Sequence, residues 1–342
     1  MTRFFRSPIT WVLLVVALAI GGCGGDGSST SETSGEPDTR LKVVTTVSPI
    51  TSIVENIGGS RILLEGVVPE GVNSHTFEPT PSMAKLMADA DLIIINGLFL
   101  EEPTLALAES NKRDEAVILS LGDQTVTPEE WQFDFTFPES AGQPNPHLWP
   151  DPNLGLRYAE LVQDQLAAMD PDNATYYADN LERFRSRVNQ MDQAIRTAVA
   201  TVPEPNRKLL TYHDSWAYFA KQYGMEVIGA VQPSNFSQPS VREVAQLIDQ
   251  VKDLGLPAVF GSEVFSSDVL EAIASEANAQ FVDDLADDDL PGKPGDPEHS
   301  YLGLMQKNLE AMIPALGGNA AALAGLDIEN VFDGASGAVF PQ

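Results

Sequence analysis

Short apolar runs alternate with amphipathic stretches from Leu41 onward, a pattern typical of an α/β protein. Strands are predicted where the runs are continuous and rich in β-branched residues, at 41–47, 62–68, 91–96 and 116–120. Continuous apolarity indicates strands covered on both faces, as in a parallel sheet. Proline at the first turn favours helices at 49–57 and 80–90.

The same rhythm restarts after residue 206. Strands are predicted at 208–212, 225–230, 257–261 and 280–282, and helices near 215–223, 240–254, 268–277 and 301–316. Two successive series of strands and helices predict two lobes, each with a mainly parallel sheet flanked by helices.

One long helical pattern lies between the two series. From Asp170 to about Ala200, apolar residues recur at spacings of three and four, and polar residues fill the other positions. Such a helix would be roughly 45 Å long, enough to run across both lobes and to resist hinge bending. An intermolecular coiled coil is the alternative. The predicted organisation is an N-terminal α/β lobe at 41–169, a linking helix at 170–200 and a C-terminal α/β lobe at 201–342.

The start of the chain predicts export. Arg3 and Arg6 precede an apolar run at 11–20, which is shorter than the roughly 20 residues that span a bilayer. Residues 1–22 therefore have the character of a secretory signal. The single cysteine, Cys23, follows in Leu18-Ala-Ile-Gly-Gly-Cys23, which resembles a bacterial lipobox and implies a lipid-bearing N-terminus.

An ordinary cleavable signal with an incidental cysteine is the alternative to the lipobox. Residues 23–40 lack apolar side chains that could anchor a core and indicate a flexible tether. We therefore expect an extracytoplasmic protein, held at the bacterial cell membrane by its lipid.

Composition excludes some partners. The chain has 20 basic and 49 acidic residues, a formal charge of −29, which disfavours nucleic acid because that binding needs Lys and Arg. An acidic surface raises the local concentration of cations, although solubility or a salty habitat would explain it equally well. The sequence contains no glycine-rich phosphate loop and no Gly-x-Ser-x-Gly elbow.

The candidate chemistry lies in the few histidines. Only four occur in 342 residues; His75 follows the second predicted strand, His147 lies in a proline-flanked turn, and His213 ends the strand at 208–212. Asp283 follows the strand at 280–282. Because open α/β sheets bind ligands at the carboxyl ends of their strands, these side chains predict a closed four-ligand site. Three imidazoles and a carboxylate suit zinc, and tolerably manganese or iron.

Each histidine alone is weak evidence, because a lone histidine is more often a hydrogen-bonded structural residue. His299, in a proline- and glycine-rich loop, is interpreted as a surface residue. Several acids near the candidate ligands could offset the charge of a bound ion and hold ring N–H groups, or could simply be solvated. They are Glu78, Asp151, Asp214 and Asp284.

Four segments resemble the signatures of the zinc- and manganese-binding lipoproteins of ABC importers, the TroA-like family: 71–97, 145–152, 211–224 and 281–287. The resemblance implies two α/β lobes joined by one backbone helix. It also implies metal ligands at His75, His147, His213 and an aspartate in the fourth segment, where the register leaves Asp283 and Asp284 as alternatives. The implied partners are a permease and its cytoplasmic ATPase.

The resemblance leads us to expect a monomeric solute-binding protein that captures zinc between its lobes, and not an enzyme. Histidine at the third position favours zinc over manganese, although the segment 122–145 lacks the histidine-rich loop of many zinc members. Manganese or iron uptake by the same architecture is the alternative.

Two other functions stay open from the residues alone. A zinc hydrolase could use Glu78 as its base, but a fourth protein ligand would fill the position that catalytic zinc keeps for water. An adhesin or scaffold could hold a structural metal. For the importer, we expect release to disturb the loop of His213 or of Asp283.

Overall fold

The computed structural model describes residues 38–265, 268–283, 285–334 and 337–342. Arg40–Gln342 form one compact unit. The predicted signal, Cys23 and most of the predicted tether lie outside the described residues. Within the described part of the chain, no helix combines the length and apolarity needed to cross a membrane.

The first half of the compact unit forms a four-stranded parallel sheet with strand order β2-β1-β3-β4. Its strands are β1 (Leu41–Thr45), β2 (Ile62–Gly66), β3 (Leu92–Ile95) and β4 (Val117–Ser120). The accompanying helices are α1 (Ser48–Gly58), α2 (Met83–Asp89), α3 (Glu102–Asn111) and α4 (Leu121–Thr125). Every residue of β3 is buried, as its continuous apolarity predicts.

The second half repeats this arrangement with strand order β6-β5-β7-β8. Its strands are β5 (Lys208–Thr211), β6 (Glu226–Ala230), β7 (Ala258–Phe260) and β8 (Gln280–Val282). Its helices are α7 (Ala217–Tyr223), α8 (Val241–Leu254), α9 (Asp268–Ala277) and α10 (Tyr301–Ala315). The predicted α/β fold with two mainly parallel sheets is confirmed.

Two long helices, not one, lie between the sheets in sequence, after the short helix α4. The expected long helix is α6 (Ala174–Ala200), and α5 (Pro152–Met169) precedes it. Asn153 contacts Asp192 and Glu160 contacts Arg185, so the two helices run antiparallel as a hairpin. The apolar stripe of α6 is buried within the chain rather than free for an intermolecular coiled coil. Its buried apolar members include Tyr177, Leu181, Phe184, Val188, Met191, Ile195 and Ala198.

The C-terminal segment returns to the first sheet. Helix α10 packs against α1 and α6. Beyond it, Val339 accepts from the backbone N–H of Gly66 and donates to the carbonyl of Leu64, both at 2.9 Å. The last residues therefore extend the edge of the first sheet beside β2, although they belong to the predicted C-terminal lobe.

Candidate metal centre

Three imidazoles and one carboxylate converge between the two sheets. His75 lies in a 3-10 turn (Ser74–Thr76), His147 in the loop before α5, His213 just after β5, and Asp288 in the loop between β8 and α10. One ligand atom from each lies within 4.8 Å of the others. Among the described residues, this is the only group of three or more such side chains that could share an ion.

The spacing of these atoms suits a four-coordinate ion. Nε2 of His147 lies 3.1 Å from Nε2 of His75 and 2.9 Å from Nε2 of His213. Oδ1 of Asp288 lies 3.7 Å from Nε2 of His147 and 4.0 Å from Nε2 of His213. Nitrogen and oxygen ligands about 2.0–2.1 Å from a tetrahedral zinc lie roughly 3.3 Å apart. The observed separations bracket that value.

The structure brings Asp288, not the predicted Asp283, to the imidazoles. Asp283 is exposed and lines a separate cavity of 460 Å³. Beyond it, the buried side chains of Leu285 and Ala286 anchor the loop in the core, and the turn that follows carries Asp288 inward. Asp284, the alternative ligand, lies outside the described residues. Asp288 therefore replaces Asp283 in the candidate ligand set.

Amide side chains fix the orientation of the two buried imidazoles. Nδ1 of His147 lies 2.7 Å from Oδ1 of Asn145, and Nδ1 of His213 lies 2.6 Å from Oε1 of Gln232. An amide oxygen only accepts, so each ring must donate from Nδ1. Both Nε2 lone pairs then face the centre, as a metal ligand requires.

The loop that carries His147 is fastened to the first sheet. Asn96, directly after β3, donates from Nδ2 to the carbonyl of Pro146 and accepts from the hydroxyl of Tyr158. Glu101 accepts from the backbone N–H of Asn96, and burial raises the pKa of Glu101 to about 7. The position of His147 thus depends on a buried polar network as well as on its own loop.

Asp288 presents one oxygen to the imidazoles. Its Oδ2 accepts a 2.6 Å hydrogen bond from the hydroxyl of Ser74, the residue that precedes His75. Its Oδ1 is buried without a hydrogen-bond partner among the residues that the structure describes. A buried acceptor without a partner costs about 1–3 kcal/mol, and more when charged, and a cation among these ligands would offset that cost.

Two of the imidazoles, those of His75 and His147, are held in the form that binds metal. Burial, followed by the proximity of His213, lowers the pKa of both His75 and His147 well below the ordinary value of 6.5. Both rings are therefore neutral at neutral pH, with lone pairs free for coordination.

The expected charge-offsetting acids lie in different places. Asp214 is buried behind His213 and accepts from the backbone N–H of Thr136. Asp151 instead caps α5, and Glu78 is exposed. Sequence reasoning missed Asp287 and Asp289, whose buried carboxyls flank Asp288. Burial, reinforced by neighbouring acids, raises their pKa values to about 7 and about 8.

His75 occupies the accessible side of the centre. It is partly exposed, whereas the other three ligands are buried. Its ring stacks on Phe236 at 4.6 Å and lies 5.4 Å from the ring of Phe137, and all three line a cavity of 180 Å³. This aromatic pocket therefore borders the partly exposed side of the cluster.

His299 is not a ligand in this arrangement, nor is it a surface residue as its loop suggested. Only 4% of it is exposed. Its Nδ1 faces the carbonyl of Pro291, its Nε2 lies 3.6 Å from Oε1 of Glu70, and its ring meets the edge of Phe340. Contacts with the returning C-terminal segment bury it.

Comparison with known proteins identifies relatives over most of the chain. The family model described as "Zinc-uptake complex component A periplasmic" matches residues 43–315. The manganese-binding lipoprotein MntA of Halalkalibacterium halodurans is 29% identical over 307 residues, covering 90% of this chain and 97% of that protein. The iron-binding protein YfeA of Yersinia pestis is 28% identical over 279 residues, covering 81% of this chain and 87% of that protein.

A solved structure supports the fold. The periplasmic zinc binding protein TroA from Treponema pallidum matches with a TM-score of 0.73 at 24% identity, covering 81% of this chain and 99% of that chain. This likeness shows the two-lobed fold. Together with the family match, it confirms the resemblance that the four sequence segments carry.

Proposed function

The chain belongs to the zinc-uptake complex component A family, and on that premise we propose that it captures Zn²⁺ outside the cytoplasmic membrane and delivers it to the permease of an ABC importer. It is a metal-binding solute-binding protein of an ABC transporter, not an enzyme. The identity of the metal is what we propose, because relatives are named for zinc, manganese and iron.

The ligand set is the observation that carries the choice of zinc. Three imidazole nitrogens and one carboxylate oxygen meet within 4.8 Å. Nitrogen-rich sites follow the usual affinity order, in which zinc exceeds manganese and iron. Because Ser74 occupies the second oxygen of Asp288, the carboxylate offers one bond, which suits four-coordinate zinc better than metals that prefer more oxygen ligands.

The closed ligand set fits an ion that is carried rather than used for catalysis. A catalytic zinc has three protein ligands and keeps the fourth position for water, whereas Asp288 would supply a fourth ligand here. Binding stabilises the closed arrangement by mass action. We propose that the ion enters past the partly exposed His75, and that docking on the permease withdraws one ligand loop to release it.

A lipid on Cys23 would hold the protein at the membrane surface. The support is the lipobox-like segment before Cys23 and the lipoprotein names of relatives. Mass spectrometry of the mature N-terminus tests this anchor: a diacylglyceryl adduct on Cys23 supports it, and an unmodified N-terminus elsewhere contradicts it.

Competitive metal titration tests the function. The purified protein, stripped of metal, is titrated with Zn²⁺, Mn²⁺ and Fe²⁺ against a chromophoric chelator. We expect one tight, reversible Zn²⁺ equivalent that Mn²⁺ displaces poorly. Tighter binding of Mn²⁺ or Fe²⁺ would replace zinc by that metal, and no binding of any of them would contradict metal uptake altogether.

A further inference from the structure

A single carboxyl oxygen holds the backbone of the loop that carries Asp288. Oε1 of Glu263 accepts hydrogen bonds from three consecutive backbone N–H groups, those of Asp287, Asp288 and Asp289, at 2.9, 3.0 and 3.0 Å. Burial, reinforced by Asp287, raises the pKa of Glu263 well above its usual range. A carboxyl oxygen can accept in either protonation state, so the three bonds fix the path of this turn with or without the charge.

The polypeptide around Glu263 is itself fixed. Gly261 donates from its backbone to Val282, and Glu263 donates from its backbone to Leu285, at 2.7 and 3.2 Å. Residues 261–263 therefore continue the pairing of β7 with β8 beyond the ends of both strands. The side chain of Glu263 then reaches the next residues of the neighbouring segment, which are those of the ligand loop.

The side chain of Asp287 adds a second attachment. It accepts from the hydroxyls of Ser215 and Ser262 at 2.9 and 3.0 Å. These bonds hold the side chain beside Asp288, but only Glu263 bonds the backbone N–H of Asp288 itself in the described part of the chain. The backbone position of the carboxylate ligand is thus determined mainly by Glu263, which follows β7.

We propose that Glu263 is the positioning residue for Asp288: it fixes the Asp287–Asp289 backbone so that Oδ1 of Asp288 reaches the ion, and it thereby sets how slowly the metal leaves. The proposal deepens the proposed function and rests on metal binding by Asp288. The loop requires an acceptor oxygen at the right distance, so the length of the side chain at position 263 matters more than its charge.

Three substitutions of Glu263 separate the effect of side-chain length from the effect of the carboxyl group. Glu263→Gln keeps an acceptor oxygen at the same reach without the carboxyl group. Glu263→Asp keeps the carboxyl group but is one methylene too short, and Glu263→Ala removes both. Glu271→Gln is the matched control, because Glu271 is exposed, lies in helix α9 and lines the same 460 Å³ cavity as Glu263.

Zinc dissociation into excess chelator is followed by stopped flow. We expect Glu263→Ala and Glu263→Asp to speed dissociation by about 10–100-fold, as loss of an outer partner of a metal ligand does. Glu263→Gln should stay within about threefold of the parent dissociation rate, because its amide oxygen can accept the same three backbone hydrogen bonds. Glu271→Gln should match the parent.

Two further measurements exclude a merely structural effect. The visible spectrum of the Co²⁺-loaded protein should weaken or shift in the Ala and Asp variants, because tetrahedral Co²⁺ absorbs strongly and a displaced Asp288 changes its ligand field. In an Asp288→Ala background, Glu263→Asp should add little further, since the two residues act as one unit.

Amide hydrogen exchange gives a metal-independent reading. In the metal-free protein, the amides of Asp287–Asp289 should exchange faster in Glu263→Asp than in the parent. If they do but zinc does not bind the parent, the proposed function fails while the contact of Glu263 with the loop stands. The proposal would be overturned if Glu263→Asp had parent-like amide exchange, zinc dissociation and Co²⁺ spectra. It would also be overturned if the effects of Glu263→Asp added fully to those of Asp288→Ala. The Glu263→Asp variant tests the proposal even if Glu263→Ala does not fold.

Discussion

The two sides of the metal centre are built differently. His147 and His213 are fully buried, and each ring donates to a side-chain amide. His75 is partly exposed and is held by stacking on Phe236, a contact that allows rotation more readily than a hydrogen bond at fixed geometry. We propose that His147 and His213 form a preorganised floor that determines affinity, and that His75 forms a wall past which the ion exchanges.

Removing the central ligand should have the largest effect. Nε2 of His147 is the atom closest to both other imidazoles, so His147→Ala should lower Zn²⁺ affinity by well over the roughly 10–100-fold typical of an outer partner. Competitive titration measures it, with circular dichroism as the control for folding. Parent-like affinity in a folded variant would remove His147 from the ligand set.

His75→Ala should lower affinity less and change the rates more. Three ligands remain on the buried side, while the wall beside the aromatic pocket opens. Stopped-flow mixing should show that zinc dissociates faster while association is unchanged or faster. If His75→Ala weakened binding more than His147→Ala did, the distinction between floor and wall would be wrong.

The amide partners of the floor should come next. Asn145→Ala leaves the His147 ring free to turn or change tautomer, and affinity should fall about 10–100-fold. The control is Gln143→Ala, which truncates an amide side chain earlier in the same loop, where Gln143 lines the aromatic pocket. Zinc affinity of this control should stay near the parent value. Equal losses in the two variants would show that loop disruption, not ring orientation, matters.

Proton competition should be weak above about pH 6.5. The pKa values of His75 and His147 are lowered by burial, so both stay neutral until the pH falls below the ordinary histidine range. Zinc affinity, measured by titration at each pH, should be nearly flat from about pH 8 to about 6.5 and fall only below it. In the metal-free protein these two histidines destabilise the fold below about pH 6.5, because they bind protons in the unfolded chain but not in the folded one. The buried carboxyls with raised pKa values act in the opposite direction, since they bind protons in the folded chain that they have lost in the unfolded one. A steep loss of affinity between about pH 8 and 7 would contradict the lowered pKa values of His75 and His147.

Asp283→Ala should have the smallest effect. This side chain is exposed and lies outside the cluster, so zinc affinity should match the parent, whereas Asp288→Ala should lose a ligand. Titration of the two variants side by side measures the contrast. A large loss in Asp283→Ala with parent-like binding in Asp288→Ala would restore the original assignment.

The sequence predicts most of what local pattern determines. The eight strands appear in the expected places, and His75, His147 and His213 converge as expected. Helices α3 and α4 were not predicted. Helix α5 was also missed, although the cap at Asp151 and the apolar spacing of Tyr158, Val162 and Leu166 are visible in the sequence. Its start coincides with a proline-rich motif that suggests a turn.

Long-range contacts determine what the sequence could not predict. The run 283–289 contains several aspartates, and neighbours distant in sequence, among them Glu263 and Ser74, determine which one faces the imidazoles. The burial of His299 likewise depends on Phe340 and Glu70. Spacing along the chain carries no information about such contacts.

Anomalous diffraction from crystals of the zinc-loaded protein tests the central claim most directly. The account predicts one peak at zinc's absorption edge, about 2.0–2.2 Å from Nε2 of His75, His147 and His213 and from Oδ1 of Asp288. A peak bound by Asp283, or a zinc with water in place of Asp288, would contradict it.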